Sequence, residues 1–372
     1  MKILQLGPYP PPHGGVQTNL VAIHRHLHAR GIPCAAINLT RYRQKNAEDV
    51  YYPKSAWGVL HLLFQLDYDI AHLHVGGTLS LRLLALGIVC SLLPGKKVVL
   101  TFHSGGYPSS PAGIVLRRSK LKMLGLRRFD RIIAVNSDIV RFFARSGFPL
   151  SRIRLIHPYP PLRVSEQTGL TTKLAAFFEA HDPVLLSVGG LEPEYNIPIQ
   201  IDALGNLRKS FPRAGLVVIG GGSLEGNLRT ALKGYSYCHD ILLCGDVRHE
   251  VTLHAIKRAD VLLRTTSYDG DSIAVREALQ LGTPVVATDN GMRPGAVKLI
   301  PQLSVETLTT AIEECLRNPT TSAPMTESAA ETNLVEVLNV YNELIACPAS
   351  ESASPLGKAL SNSLPADFKK EF

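Results

Sequence analysis

The sequence predicts an α/β fold made of two doubly wound, Rossmann-like domains facing each other across a cleft. Three observations carry this reading. Short apolar runs alternate with helical patterns, the alternation restarts after a proline-rich segment near residue 158, and 372 residues are too many for one core of ordinary size. In the first half, Ile3–Gly7, Cys34–Leu39, Ile70–Val75, Val98–Phe102 and Arg131–Val135 have the length and composition of buried strands. Gln17–Ala29, Ser80–Leu92 and Ser137–Arg145 read as helices between them. Leu155-Ile156-His157-Pro158-Tyr159-Pro160-Pro161 is stiffened by prolines that no helix tolerates, which suits a connector between domains.

Beyond it, Val184–Val188, Leu216–Ile219, Ile241–Cys244, Val261–Leu263 and Val285–Ala287 read as strands. Gln200–Ser210, Leu224–Leu232, Val251–Lys257 and Ile273–Leu281 read as helices. The expected domains are therefore 1–160 and 161–326. A last helix within 327–346 packs back across the cleft, and 347–372, which has no period, is expected to be a mobile tail.

Charge is unevenly spread. Residues 1–160 hold 21 Lys and Arg against 6 Asp and Glu, whereas residues 161–372 hold 18 against 25. No acid occurs from Ile70 to Phe129. Within that stretch, residues 116–129 interleave six basic residues with apolar ones at near-helical spacing. Such a segment suits an anionic membrane surface, where each nearby charge contributes about 1 kcal/mol. A core-facing helix with a solvated basic side is the competing reading. Nucleic acid is not expected, because no helix-turn-helix, zinc or RNP-type pattern accompanies the charge.

No apolar run reaches the ~18 residues of a spanning helix, and the start MKILQLGPYP is a strand and proline loop rather than a signal peptide. A cytoplasmic protein, peripheral on the inner face of the membrane, is the expectation. The six cysteines form no CxxC pair and read as reduced core residues.

Several motifs lie at carboxyl ends of expected strands, where open α/β sheets place their ligands. Gly7–Gly15 reads GPYPPPHGG, which lacks dinucleotide spacing, but Gly14-Gly15 before a helix lets backbone approach an anion. His103 ends a strand in a Gly-rich loop. Asp269 and Glu277 lie eight residues apart across a loop that opens a helix, whose N-terminus offers free N–H groups and a positive dipole end. Carboxylates for sugar hydroxyls beside an anion site suit a nucleotide-sugar. His72 and His74 have no adjacent acid or cysteine, so no metal site and no obligatory divalent ion are expected.

The segment Asp260–Gly291 resembles the donor-binding signature of the family-4 retaining glycosyltransferases: an acid, seven residues, a Glu, then Ala, Gly and a Pro-Val-Val strand. Here these are Asp269, Glu277, Ala278, Gly282 and Pro284-Val285-Val286. The resemblance spans about residues 1–345 and implies the B-type (GT-B) fold. It implies that Glu277 holds the donor ribose and Asp269 a hydroxyl of the donor sugar. Backbone N–H groups of Asp271, Ser272 and Ile273 meet the diphosphate or sugar, and Gly14-Gly15 touch the donor phosphates. His103 matches the active-site His that contacts the sugar and supports the transition state. Gly220-Gly221-Gly222 matches a loop near the donor base.

The chain departs from the family where Gly190 and Tyr195 stand in place of an Arg and a Lys that neutralise the leaving diphosphate. Arg264 and Arg293, both at carboxyl strand ends, are the candidate replacements, and Arg276 a weaker one. The acceptor implied by the basic, acid-free first domain is a membrane-proximal glycan or lipid-linked molecule, as in envelope polysaccharide or lipopolysaccharide assembly. Two other readings stay open: a non-catalytic sugar or nucleotide binder on this fold, and another enzyme such as a nucleotide-sugar epimerase. No cofactor beyond the donor substrate is expected.

Overall fold

The computed structural model describes residues 1–41, 48–158, 162, 169–267, 271–291, 293–318 and 327–346. The first domain runs β1 (Ile3–Gly7), α1 (Gly15–His28), β2 (Cys34–Asn38), β3 (Val50–Tyr51), α2 (Ala56–Gln65), β4 (Ile70–Val75), α3 (Leu81–Leu92), β5 (Lys97–Phe102), α4 (Pro111–Arg118), α5 (Lys120–Leu126), β6 (Arg131–Ala134), α6 (Ser137–Arg145) and β7 (Ile153–Leu155). Its strands form one parallel sheet in the order β3-β2-β1-β4-β5-β6-β7. All six residues of β4 are buried, as expected of a strand covered on both faces.

The second domain runs α7 (Thr172–Ala180), β8 (Val184–Val188), α8 (Ile197–Leu207), β9 (Gly215–Ile219), α9 (Glu225–Leu232), β10 (Ile241–Gly245), α10 (His249–Arg258), β11 (Val261–Arg264), α11 (Ile273–Leu281), β12 (Val285–Thr288), β13 (Lys298–Ile300) and α12 (Val305–Arg317). Its parallel sheet has the order β10-β9-β8-β11-β12-β13. The strand order reverses at β1/β4 in one sheet and at β8/β11 in the other. Crevices open at such reversals, because the helices leave to opposite faces there.

The sequence pattern misses β3, α2, β7, α7, β13 and α12. The three strands have two or three residues each, too few to show a period. α2 is apolar almost all round, which hides its helical period. α12 was legible: Ser304 and Thr307 form a capping box, and Leu308, Ala311, Ile312 and Cys315 follow at helical spacing. The expected single basic helix over 116–129 is two helices, α4 and α5. Ser119, extended between them, caps α5 through its hydroxyl. Leu155, expected in the connector, pairs as the end of β7.

A last helix, α13 (Glu327–Ala346), returns to the first domain. Its Leu334, Val337, Val340, Tyr341 and Leu344 share a core with Ile3, Ile23, Leu27, Ile70, Val99 and Ile133. Burying side chains of this kind stabilises by about 1.5–3 kcal/mol each. Two polar ties add direction: Glu343 pairs with Arg154 at 3.0 Å, and the Tyr341 hydroxyl shares a hydrogen bond with His72 Nδ1. The other ring nitrogen of His72 bonds Thr101 Oγ1 at 2.7 Å. Residues 347–372 lie outside the described residues.

Tyr341→Phe leaves His72 Nδ1 buried without its partner. It is expected to cost about 1–3 kcal/mol, read as a lower urea midpoint at unchanged slope. Burial pushes His72 down to about 3 and His24 down to about 4, so the unfolded chain binds these protons more tightly. Their stabilisation is complete above about pH 6.5 and is lost as pH falls toward those values. Unfolding measured from pH 7 to 4.5 is expected to show the stability dropping, by up to about 1.4 kcal/mol per histidine per pH unit.

Candidate active site

A cleft of about 770 Å³ opens between the carboxyl ends of the two sheets. From the first domain it is lined by the loop after β1, by Gly76 after β4 and by His103 after β5. From the second it is lined by Gly189 and Gly190 after β8, Gly220–Gly222 after β9, the β10–α10 loop, Arg264 and the start of α11. These are the loops that the two strand reversals bring together.

Gly14 caps α1 in extended conformation and offers no side-chain acceptor, so the first N–H groups of α1 remain open toward the cleft. A Cβ on Gly15 would stand 3.5 Å from Ile273 Cδ1, across the cleft on α11. At Gly220, with φ +130°, a Cβ would lie 1.9 Å from the Gly189 carbonyl oxygen. Only glycine lets the β8 and β9 loops approach there.

α11 starts at Ser272, whose buried hydroxyl makes no hydrogen bond, and no acid occupies its first turn. Its N-terminus is therefore an open anion site. The Asp271 carboxylate is already engaged. Arg276 grips it with two hydrogen bonds of 2.8 and 3.1 Å, and His157 Nδ1 donates to it at 2.7 Å. Arg276 is thereby turned onto Asp271. Glu277, one turn into α11, is buried but lines the cleft, and accepts a 2.6 Å hydrogen bond from His249 Nε2. Burial works against a charged His249 ring. The hydrogen bond and charge of Glu277, helped by Glu250, outweigh it and hold the ring above its ordinary pKa.

Arg264 ends β11 and is buried. Its guanidinium donates to the Val188 carbonyl at 2.8 Å and lies over the Tyr195 ring, 4.8 Å from the centroid. It therefore stands against Gly189 and the Tyr195 ring, one residue from Gly190. Arg293 donates to the Thr288 carbonyl at 3.2 Å and to Thr266 Oγ1 at 2.9 Å, and is not among the cleft-lining residues. Asp269 lies outside the described residues. His103 reaches the cleft, held by its backbone N–H on the Val75 carbonyl at 2.8 Å, with its ring stacked on His74. Burial pushes it down to about 3, so the ring is neutral at working pH. Among the described residues, no group of three or more His, Cys, Asp or Glu could hold a metal ion.

Gly14, Gly15, His103, Arg264, Asp271, Ser272, Ile273 and Glu277 thus converge on one cleft. Sequence reading missed His249 and His157, whose partners are 28 and 114 residues away. One signal was present for His249: it opens a helix just after a strand, the placement that singled out Gly14-Gly15. Asp246, in the same loop, accepts from the His13 backbone N–H at 3.1 Å and ties the two domains across the cleft.

The model of the glycosyl transferases group 1 family matches residues 174–332, and that of Glycosyltransferase Family 4 matches residues 13–159. No protein of curated function matches the chain at the sequence level. Among solved structures, HepE from Anabaena in complex with UDP-glucose is 15% identical over 93% of this chain and 100% of that one, with a TM-score of 0.69. The sucrose-phosphate synthase from Thermosynechococcus elongatus is 15% identical over 93% and 100%, with a TM-score of 0.66. WaaG, a glycosyltransferase involved in lipopolysaccharide biosynthesis, is 16% identical over 91% and 95%, with a TM-score of 0.61. At such identities these structures show a shared fold, the expected GT-B architecture. The two family models together span most of both domains, and the chain belongs to the group 1, family 4 glycosyltransferases.

Proposed function

We propose that this enzyme is a retaining transferase that moves a sugar from a nucleoside-diphosphate sugar to a membrane-proximal glycan or lipid-linked acceptor in envelope polysaccharide or lipopolysaccharide assembly. The observation that carries the donor half is the cleft itself. A buried carboxylate, Glu277, stands beside an open helix N-terminus, with the Arg264 guanidinium held against Gly189 and Tyr195. Glu277 binds the ribose hydroxyls and Asp269 a sugar hydroxyl. The N–H groups of Asp271, Ser272 and Ile273, with those after Gly14, hold the diphosphate. Arg264 balances the charge that grows on the leaving diphosphate, a preorganised contribution typically worth several kcal/mol. Arg293, braced behind the end of β12, adds a more distant positive charge. His103 contacts the sugar as a neutral group. The acceptor hydroxyl attacks on the face the diphosphate leaves, and the departing phosphate takes its proton.

The acceptor half rests on one face of the first domain. α2, α3, α4 and α5 are right-handed crossovers running in one direction along the sheet, so they share a face, and their buried sides share one core. None of these helices carries Asp or Glu. Their outer sides expose Trp57, Phe64, Leu81, Val115 and Leu124 among Arg117, Arg118, Arg127 and Arg128. Apolar anchors amid positive charge suit an anionic lipid surface, where acceptors of this kind reside.

The loss of cations at Gly190 and Tyr195 favours one second reading, a binder without turnover. Calorimetry with UDP, GDP, dTDP and ADP separates them when paired with a donor-hydrolysis assay. One nucleotide is expected to bind, and Glu277→Ala and Arg264→Ala each to weaken it by about tenfold to a hundredfold. An unchanged affinity in Arg264→Ala would remove the replacement argument, and binding without any turnover would favour the second reading. In flotation assays the protein is expected to follow anionic but not zwitterionic vesicles. Trp57→Ala combined with Phe64→Ala is expected to reduce that binding about tenfold at unchanged nucleotide affinity.

A further inference from the structure

We infer that His249 is a positioning residue of the donor cleft: it fixes the Glu277 carboxylate for the ribose hydroxyls and supplies a second positive charge facing the diphosphate. The inference rests on the reading of Glu277 as the ribose-holding carboxylate.

Glu277 is almost fully buried, and its Oε1 accepts from His249 Nε2 at 2.6 Å. A carboxylate that must meet two neighbouring hydroxyls needs a fixed plane, because a free rotor loses geometry and entropy on binding. The imidazole holds one oxygen, which leaves the other for the ribose hydroxyls and satisfies a buried acceptor that would otherwise stay desolvated. His249 also lines the cleft itself, at the start of α10.

The charge inventory gives the ring a second task. Among the described residues lining the cleft, Arg264 is the sole Arg or Lys, against Glu225, Asp246, Asp271 and Glu277. Asp271 is neutralised by Arg276, Glu225 by Arg229, and Asp246 faces His13. His103 is neutral. A protonated His249 is therefore a further cationic ring lining the cleft, sustained by a short hydrogen bond to a carboxylate of the site. The charged groups around it are Glu277 on α11, Glu250 and Arg248 on its own segment, and Arg25 on α1. β8, against which α10 also packs, contributes no charge. Glu277 and Glu250 favour the charged ring and Arg25 opposes it, with the carboxylates prevailing.

The test is nucleotide binding by the full chain, with UDP, GDP and ADP and their 2′-deoxy counterparts, from pH 5.5 to 8.5. The variants are His249→Gln, whose amide can donate as Nε2 does but does not titrate, His249→Leu, which cannot donate, and Glu277→Ala. Parent affinity is expected to fall about threefold to tenfold as pH rises through the titration of His249. His249→Gln is expected to bind with a profile flatter by that amount, a comparison that cancels the ligand's own protonation. His249→Leu is expected to lose about tenfold in affinity and the preference for ribose over deoxyribose, and to add little to the loss in Glu277→Ala. A His249→Leu variant that keeps both affinity and ribose preference while Glu277→Ala loses them overturns the inference alone. So does a His249→Gln variant that retains the parent's pH profile. A parent protein that binds none of the nucleotides overturns the donor-site reading together with it.

Discussion

An open parallel sheet has a usable crevice only where its strand order reverses, since elsewhere helices cover the strand ends on one continuous side. In this chain both sheets have such a point, β1/β4 and β8/β11, and everything functional depends on the two being held face to face. Two kinds of interaction hold them. α13 leaves the second domain and buries an apolar stripe in the core of the first, against β1, β4, β5 and β6. Polar ties cross the cleft near its rim, from His13 to Asp246 and from His157 to Asp271. The helix carries the energy, and the small polar ties set the approach.

Once the reversals face each other, the start of α1 and the start of α11 converge without further design. Both are capped without a competing side chain or early acid, so both present unpaired N–H groups to the same space. Gly15 opposite Ile273 and Gly220 against Gly189 keep that space narrow enough for backbone to serve as the ligand-facing surface. The result is a site in which positive potential comes largely from oriented peptide groups rather than from charged side chains.

That balance accounts for the arrangement of the few charges present. The Arg264 guanidinium lies on the Tyr195 ring while bonded to the Val188 carbonyl. A planar guanidinium suits this place, because it can stack on an aromatic face and still present donors edgewise. Tyr195 is thus a support for the Arg264 cation. The histidines divide by environment. His72, His74 and His103 are driven neutral by burial, whereas His249 is held toward the charged form by the carboxylate it touches.

The sequence by itself determined the class of fold, the strands long enough to show a period, and the cleft-facing loops after them. Ile70–Val75 is buried along its whole length and says so in composition, and Asp260–Gly291 carries the acid spacing on which its resemblance to the family rests. What lies within one turn or one loop of its partner, such as the Ser304 cap of α12, is equally written there. The short strands β3, β7 and β13 were not legible, because two or three residues become a strand only when a neighbour supplies the hydrogen bonds. Tertiary structure alone decided the pairings: His249 with Glu277, His157 with Asp271, Tyr341 with His72, and Arg264 with Tyr195. Each joins segments tens to hundreds of residues apart, whose encounter depends on how the sheets pack. Periodicity encodes which face of an element is buried, but not which distant side chain will meet it there.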